Sequence, residues 1–227
     1  MLVAERKPFD DIKHMLRDYA KVLTIGCGTC TAVCRVGGEA ETAVLNAQLD
    51  MAFRLEGRSL ELDAVTVERQ CDPEFIRPLT LRVDNNDAIL SMGCGAGVQM
   101  LADMFPHIPV FPALDTRFVG VSRGGGWFEE RCRCCGHCML GMTAGICPVT
   151  RCAKKLLNGP CGGSFSGRCE VNPNVPCAWQ LIYDRLKSQN RLDRMEQIVP
   201  PMEWTDSVPG SMVTADRILE KTKGVEP

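Results

Sequence analysis

The chain has 227 residues, 45% of them hydrophobic and 24% charged, with a formal net charge of -2, which is enough for one ordinary globular domain and a smaller module. The near-neutral balance argues against a dedicated nucleic-acid binder, and no run approaches the ~18 apolar residues that a membrane span needs. The opening MLVAERKPFDDIKHMLRDYA mixes charges of both signs and lacks the apolar stretch of a signal peptide, so a cytoplasmic protein is expected.

Taken in order, Pro8 to Tyr19 places Phe9, Ile12, Met15, Leu16 and Tyr19 at helical spacing and predicts a short amphipathic helix. Residues 21–26, KVLTIG, form an apolar run ending in glycine, as a buried parallel strand does. Residues 38–57 predict a helix closed by Gly57. LELDAVTVERQC reads as a strand ending at Cys71, and DPEFIRPLTLRV as a partly helical crossover broken by Pro78. DAILSMGC predicts a third strand ending at Cys94, GAGVQMLADMF a helix, and IPVFPAL a fourth strand. This alternation predicts an α/β protein whose N-terminal domain is an open parallel sheet, Rossmann-like or flavodoxin-like. VSRGGGW reads as a linker or flexible turn, and a domain boundary is expected there.

The fourteen cysteines fall into two groups. In the first group Cys27, Cys71 and Cys94 each fall at or just after a predicted strand end, where open sheets of this kind bind ligands, and Cys30 and Cys34 sit with Cys27 in the turn after the first strand. Read singly, such a cysteine is a small buried hydrophobe; three loops bringing thiols to one rim suggest a metal site. A dinucleotide site competes for the same rim, but Gly26 and Gly28 are followed by Thr31 at the third fingerprint position, and Gly93, Gly95 and Gly97 match no better.

The second group places nine cysteines in 46 residues, from Cys132 to Cys177, among glycines and prolines and with few large apolar residues. In a reducing compartment metal thiolates are the expected means of holding such a segment together. Cys132, Cys135 and Cys138 are spaced as in the ligand runs of bacterial ferredoxins, and Cys147-Pro resembles the cysteine-proline that closes them. Cys152, Cys161, Cys169 and Cys177 follow at wider spacing that suits iron-sulfur or zinc equally. With four thiolates per cubane, the first group could hold one cluster and the second two, leaving one cysteine over in each; Cys134 is the one left over in the second. NGPCGG can turn backbone N-H groups toward an anionic centre. From Arg131 to Glu170 there are six Lys or Arg and one acid, which suits such a centre, although a solvated basic face or a nucleic-acid patch on a zinc module would look the same. His137 reads as a neighbour rather than a ligand, and His14, His107 and His137 form no acid/base motif. Beyond Cys177, Trp179, Ile182, Tyr183 and Leu186 predict a helix, followed by a tail whose expected role is docking onto a partner. The expected division is 1–120 for the α/β domain, 128–178 for the Cys-rich, loop-dominated metal module, and 179–227 for the helix and tail.

The motifs Cys-x2-Cys-Gly-x-Cys, GICPVTRCAKKLLNGPCGG, GRCEV and CAW, with GCGTCTAVCRVGGE and GCGAGVQ upstream, resemble the small iron-sulfur subunit (MetV type) of methylenetetrahydrofolate reductases from acetogenic bacteria, over residues ~8 to ~187. The resemblance implies an electron-transfer subunit with two or three 4Fe-4S clusters, zinc possible at one site, and no flavin of its own. It implies a flavin-containing (β/α)8 partner of MetF type, which reduces 5,10-methylenetetrahydrofolate in the Wood-Ljungdahl pathway, and a redox complex as electron donor. Cys132, Cys135, Cys138, Cys147, Cys152, Cys161, Cys169 and Cys177 match that family's pattern, and Cys134 departs from it. A zinc-stabilised structural adaptor is the alternative expectation.

Overall fold

The computed structural model describes residues 1–202; the greater part of the expected docking tail, 203–227, lies outside the described residues. The chain divides into two units, Met1–Glu130 and Arg131 onward.

The first unit opens with a strand that the sequence reading missed. β1 (Leu2–Arg6) runs antiparallel to β6 (Leu114–Gly124), from Leu2 opposite Val119 to Arg6 opposite Leu114, and β6 pairs in turn with β7 (Trp127–Cys132). The expected linker VSRGGGW is therefore the tip of a hairpin. Gly124, Gly125 and Gly126 all take positive φ there, a conformation that glycine adopts without steric penalty.

The other sheet is parallel, in the order β3-β2-β4-β5, from β2 (Lys21–Cys27), β3 (Glu61–Val67), β4 (Ala88–Ser91) and β5 (Val110–Pro112). The expected parallel α/β sheet is present; the antiparallel sheet beside it was not foreseen. β2 is buried from Val22 to Cys27, which is why it reads as a continuous apolar run. Its alternate residues feed two cores. On one face Val22, Ala88 and Leu90 meet Ile12 and Leu16 of α1 (Phe9–Leu16) and Leu45, Leu49 and Phe53 of α3 (Glu39–Leu55). On the other, Leu23, Ile25 and Ile89 meet Leu101 of α6 (Gly95–Met104) and Ile76, Leu79 and Val83. Those last residues belong to the expected broken crossover, which is α4 (Pro73–Ile76), a 3-10 turn over Arg77–Leu79, and α5 (Thr80–Asp84). α3 ends as expected, with Gly57 at φ 72 and Arg58 N-H donating back to the Phe53 carbonyl at 2.9 Å.

Two expected strands are shorter than read. β3 stops at Val67 rather than at Cys71, because the chain turns there and buries Gln70 inward. β4 stops at Ser91, so Cys94 lies in the turn that caps α6.

The second unit has little regular structure: α7 (Pro148–Arg151), α8 (Ala178–Ser188) and a 3-10 turn at Leu192–Glu196. Its core is small and hangs on α8: Trp179, Ile182 and Leu186 are buried with Ile146 and Cys177. Tyr183 belongs to the expected stripe but stays partly exposed. Loops are fastened to this helix by polar contacts. Trp179 Nε1 donates to the Leu156 carbonyl at 3.1 Å and Arg185 to Ala144 at 3.0 Å, and just past the helix Arg191 donates to Gly141 at 3.0 Å. No helix among the described residues is long and apolar enough to cross a membrane.

Candidate functional site

In the first unit the sheet order reverses between β2 and β4, so the loops leaving their carboxyl ends part and leave a crevice. Cys27 ends β2 and Cys30 begins the short α2 (Cys30–Val33); Cys94 caps α6; Cys71 lies just past the end of β3. Burial pushes the Cys71 thiol up, and the nearby thiols of Cys94, Cys27 and Cys30 add to that. Cys71 thus lies in the neighbourhood of thiols carried by the two other loops. Cys34 is oriented differently: its sulfur faces the Leu2 carbonyl of β1 at 3.6 Å, and burial is the main reason its thiol is also raised.

Three buried polar side chains hold these loops. Gln70 Nε2 donates to the Ile25 carbonyl at 2.7 Å, and Gln70 Oε1 accepts from Ser91 Oγ at 2.6 Å, so one amide spans the ends of β2 and β4 beside Cys71. Thr31 Oγ1 lies 3.3 Å from the Cys27 carbonyl and 3.1 Å from that of Met92. Gly93 and Gly97 let the Cys94 turn close onto Gln70: a Cβ on either would come within 2.4 or 2.7 Å of its side chain.

In the second unit the structure groups the cysteines unequally. Cys152, Cys161, Cys169 and Cys177 line one small pocket together with Lys154, Glu170 and Trp179. Backbone N-H groups of Asn172 and Val171 hold the Cys169 thiol below the usual cysteine range, with smaller help from Ala153 and Lys154. Lys154 pairs with Glu170 at the same pocket, so the one acid of the segment is neutralised where the thiols gather. Cys132, Cys134 and Cys135 form a separate local group: the Cys134 N-H, in a residue at φ 52, donates to the Cys132 sulfur at 3.4 Å. Burial and then Cys132 push the Cys134 thiol up. Cys138 lines a largely apolar groove of about 390 Å³ with His137, Met139, Met142, Leu157 and Met202, and Cys147 caps α7.

Among the described residues no three Cys, His, Asp or Glu side chains stand together closely enough to hold a metal ion. The donor set nevertheless has the chemistry of a thiolate-bound group. Its sulfurs lie on separate loops, four of them lining one pocket, backbone amides are aimed at one of these, and no competing acid/base constellation accompanies them among the described residues.

Trp179 walls the four-cysteine pocket and is 5% exposed. Trp179→Ala is expected to cost the second unit about 3–5 kcal/mol, whereas Trp179→Phe, which loses chiefly the bond to Leu156, should cost about 1 kcal/mol. Denaturant unfolding followed by circular dichroism measures both, and a loss under ~1 kcal/mol for the alanine variant would remove Trp179 from the core.

Gln70, Thr31, Ser91 and Glu170 were not singled out from the sequence. A polar residue beside a cysteine reads as a loop residue, and the one available signal was Ser91 inside an otherwise apolar strand.

Fold and thiols together define an α/β protein with a cysteine-lined sheet rim, followed by a loop-rich unit with a cysteine-lined pocket. Residues 111–205, less than half of the chain, match the family described as "Methylene-tetrahydrofolate reductase C terminal". That match relates the chain to methylenetetrahydrofolate reductase and to one-carbon metabolism. No curated protein matches the chain. Among solved structures, a match is to an extracellular ligand-binding receptor from Verminephrobacter eiseniae, at 14% identity and a TM-score of 0.35, covering 46% of this chain and 28% of the receptor's length.

Proposed function

We propose that this chain is the small iron-sulfur subunit, of MetV type, of a methylenetetrahydrofolate reductase. In this reading it passes electrons from a donor redox complex to the flavin of a MetF-type (β/α)8 partner, which carries the folate chemistry. The observation that carries the reading is the pocket lined by Cys152, Cys161, Cys169 and Cys177, within the segment that matches the reductase family. These four thiolates would hold one 4Fe-4S cluster, Cys132, Cys135, Cys138 and Cys147 a second, and the N-terminal cysteines a third. Such a cluster, when bound, supplies one-electron transfer, which a flavin can collect into the pair that a methylene group needs for reduction.

The chain's own residues have definite tasks here. Amide N-H groups of Asn172 and Val171 stabilise negative charge on the Cys169 sulfur. Trp179 and the buried face of α8 keep water from one side of the pocket, and the pairing of Lys154 with Glu170 limits repulsion between a carboxylate and the thiolates. No general acid or base is required of this chain, since the proton transfers belong to the flavin and the folate on the partner.

The test is iron, acid-labile sulfide and zinc per chain on anaerobically purified protein, with an EPR spectrum after reduction. About eight to twelve irons with matching sulfide and a reducible signal are expected for two or three cubanes. Zinc with little iron would leave a structural adaptor and end the relay.

A further inference from the structure

We propose that the outer face of α3 is a self-association surface, on which two copies of this chain pack antiparallel, each seating its Leu55 in a hollow at the start of the other's helix. The proposal does not depend on what the cysteines hold.

The helix is apolar on two opposite sides. Thr42, Leu45, Leu49 and Phe53 are buried on one side, as a helix lying over a sheet requires. Ala40, Val44, Ala47, Met51 and Leu55 recur at spacings of four, three, four and four, which is again one helical stripe, and all five are exposed. Val44 is 53% exposed, Met51 64% and Leu55 84%. Scattered apolar side chains on a surface need no explanation, but an aligned row of them opposite the buried side is what one helix offers another.

Shape selects the occupant. At the first turn of α3, Val36, Ala40 and Val44 line an open hollow of about 280 Å³, rimmed by Arg6, Arg35 and Glu41. At the last turn Leu55 stands out as a knob. Knob and hollow lie about 22 Å apart along one helix. An antiparallel pair with its two-fold axis beside Ala47 sets Ala40 against Leu55 and Val44 against Met51, large against small at every step. Both knobs then meet both hollows at once, so the contact closes as an isologous dimer and does not propagate. A parallel pair would press Leu55 on Leu55 and leave both hollows empty.

Charge selects the same direction. The first turn of α3 carries Glu39 and Glu41, and the last turn carries Arg54. Glu39 is exposed and has no partner among the described residues, while Arg54 gives its Nε to Asp50 at 2.8 Å and keeps its terminal nitrogens for another acid. Antiparallel packing brings Glu39 of each copy beside Arg54 of the other and sets the two helix dipoles in opposition. A parallel pair would place like charges together. One pair of 17-residue helices is a small interface, so the expected dimer is a micromolar one.

The experiment is sedimentation equilibrium of the full chain across the micromolar range, anaerobic and with a thiol reductant so that no disulfide links the copies. The mass is expected to rise with concentration from the 25.0 kDa of one chain toward twice that value. Ala47→Glu leaves helix propensity almost unchanged and puts two carboxylates at the axis, so it should weaken the dimer by about 100-fold. Leu55→Ser removes both knobs and should weaken it by at least about tenfold; it decides the matter if Ala47→Glu proves misfolded by circular dichroism. Glu39→Arg and Arg54→Glu should each weaken the dimer by about threefold or more, and the double variant should restore it. A chain that stays monomeric through this range, whatever else its stripe binds, would overturn the proposal. So would a dimer that folded Ala47→Glu or Leu55→Ser leaves intact. Failure of the double charge variant to recover would overturn the antiparallel register.

Discussion

On the proposed reading, in which cysteines of the second unit hold metal, removing that metal under reducing conditions is expected to unfold residues 131–202 while residues 1–130 stay folded. The reason is the difference between the two cores. The first unit buries eleven side chains on one face of its parallel sheet and ten on the other. Among the described residues the second unit's apolar cluster has five buried side chains, one of which is Cys177. A unit with so little apolar burial needs a covalent or metal constraint to stay ordered, and structural metal sites supply about 10–16 kcal/mol of apparent binding free energy as folding free energy. Polar fastenings such as Trp179 to Leu156 and Arg185 to Ala144 lie mostly at the surface, and each adds only about 1 kcal/mol. Limited proteolysis before and after chelation, with the cleavage sites mapped, makes the measurement. Early cuts between Cys132 and Cys177 after chelation are expected; a resistant second unit, or both units lost together, would contradict this account.

Gly37→Ala should be the most damaging single substitution at the sheet rim. The Gly37 carbonyl accepts from the Cys27 N-H at 2.8 Å, and a Cβ added there would lie 2.1 Å from the Met92 carbonyl oxygen and 2.5 Å from Thr31 Oγ1. Neither neighbour can step aside. Met92 N-H is tied to the Ile25 carbonyl at 2.8 Å, and Thr31 is buried between the Cys27 and Met92 carbonyls. Overpacking of this kind costs about 3 kcal/mol, which lowers the melting temperature of a domain this size by about 10 °C. Gly57→Ala is the control. Its φ of 72 strains an alanine, but nothing lies within 4 Å of the new Cβ, so the cost should stay near 1 kcal/mol. Thermal melts of both variants decide the matter: equal shifts would mean that the close approach at Gly37 is not what holds the rim.

The parallel sheet was legible in the sequence because its central strand is buried on both faces. KVLTIG has to be apolar throughout, and the helices on each side carry their own periodicity. The antiparallel sheet was not legible, since β1 is five residues long and begins at Leu2, and the glycine run at its far end suits a linker as well as a hairpin tip. The difference between those two readings is a long-range pairing, Leu2 with Val119, to which local sequence is blind.

The candidate site divides the same way. The cysteines and their spacing were readable residue by residue, as was the likeness of the C-terminal half to a reductase family, because a thiol's chemistry is carried by the residue itself. Which thiols share a site was not readable. Cys30 and Cys34 are four residues apart, yet it is the Cys34 sulfur that lies against the Leu2 carbonyl of the antiparallel sheet. Cys152 and Cys177 are 25 positions apart and line one pocket. By itself the sequence determined which thiols the chain carries and the buried centre of the sheet, both of which depend on residue type and local period. The grouping of thiols, the Gln70 and Thr31 braces and the role of α8 as the second unit's core were decided by tertiary structure alone, because each depends on where distant backbone segments meet.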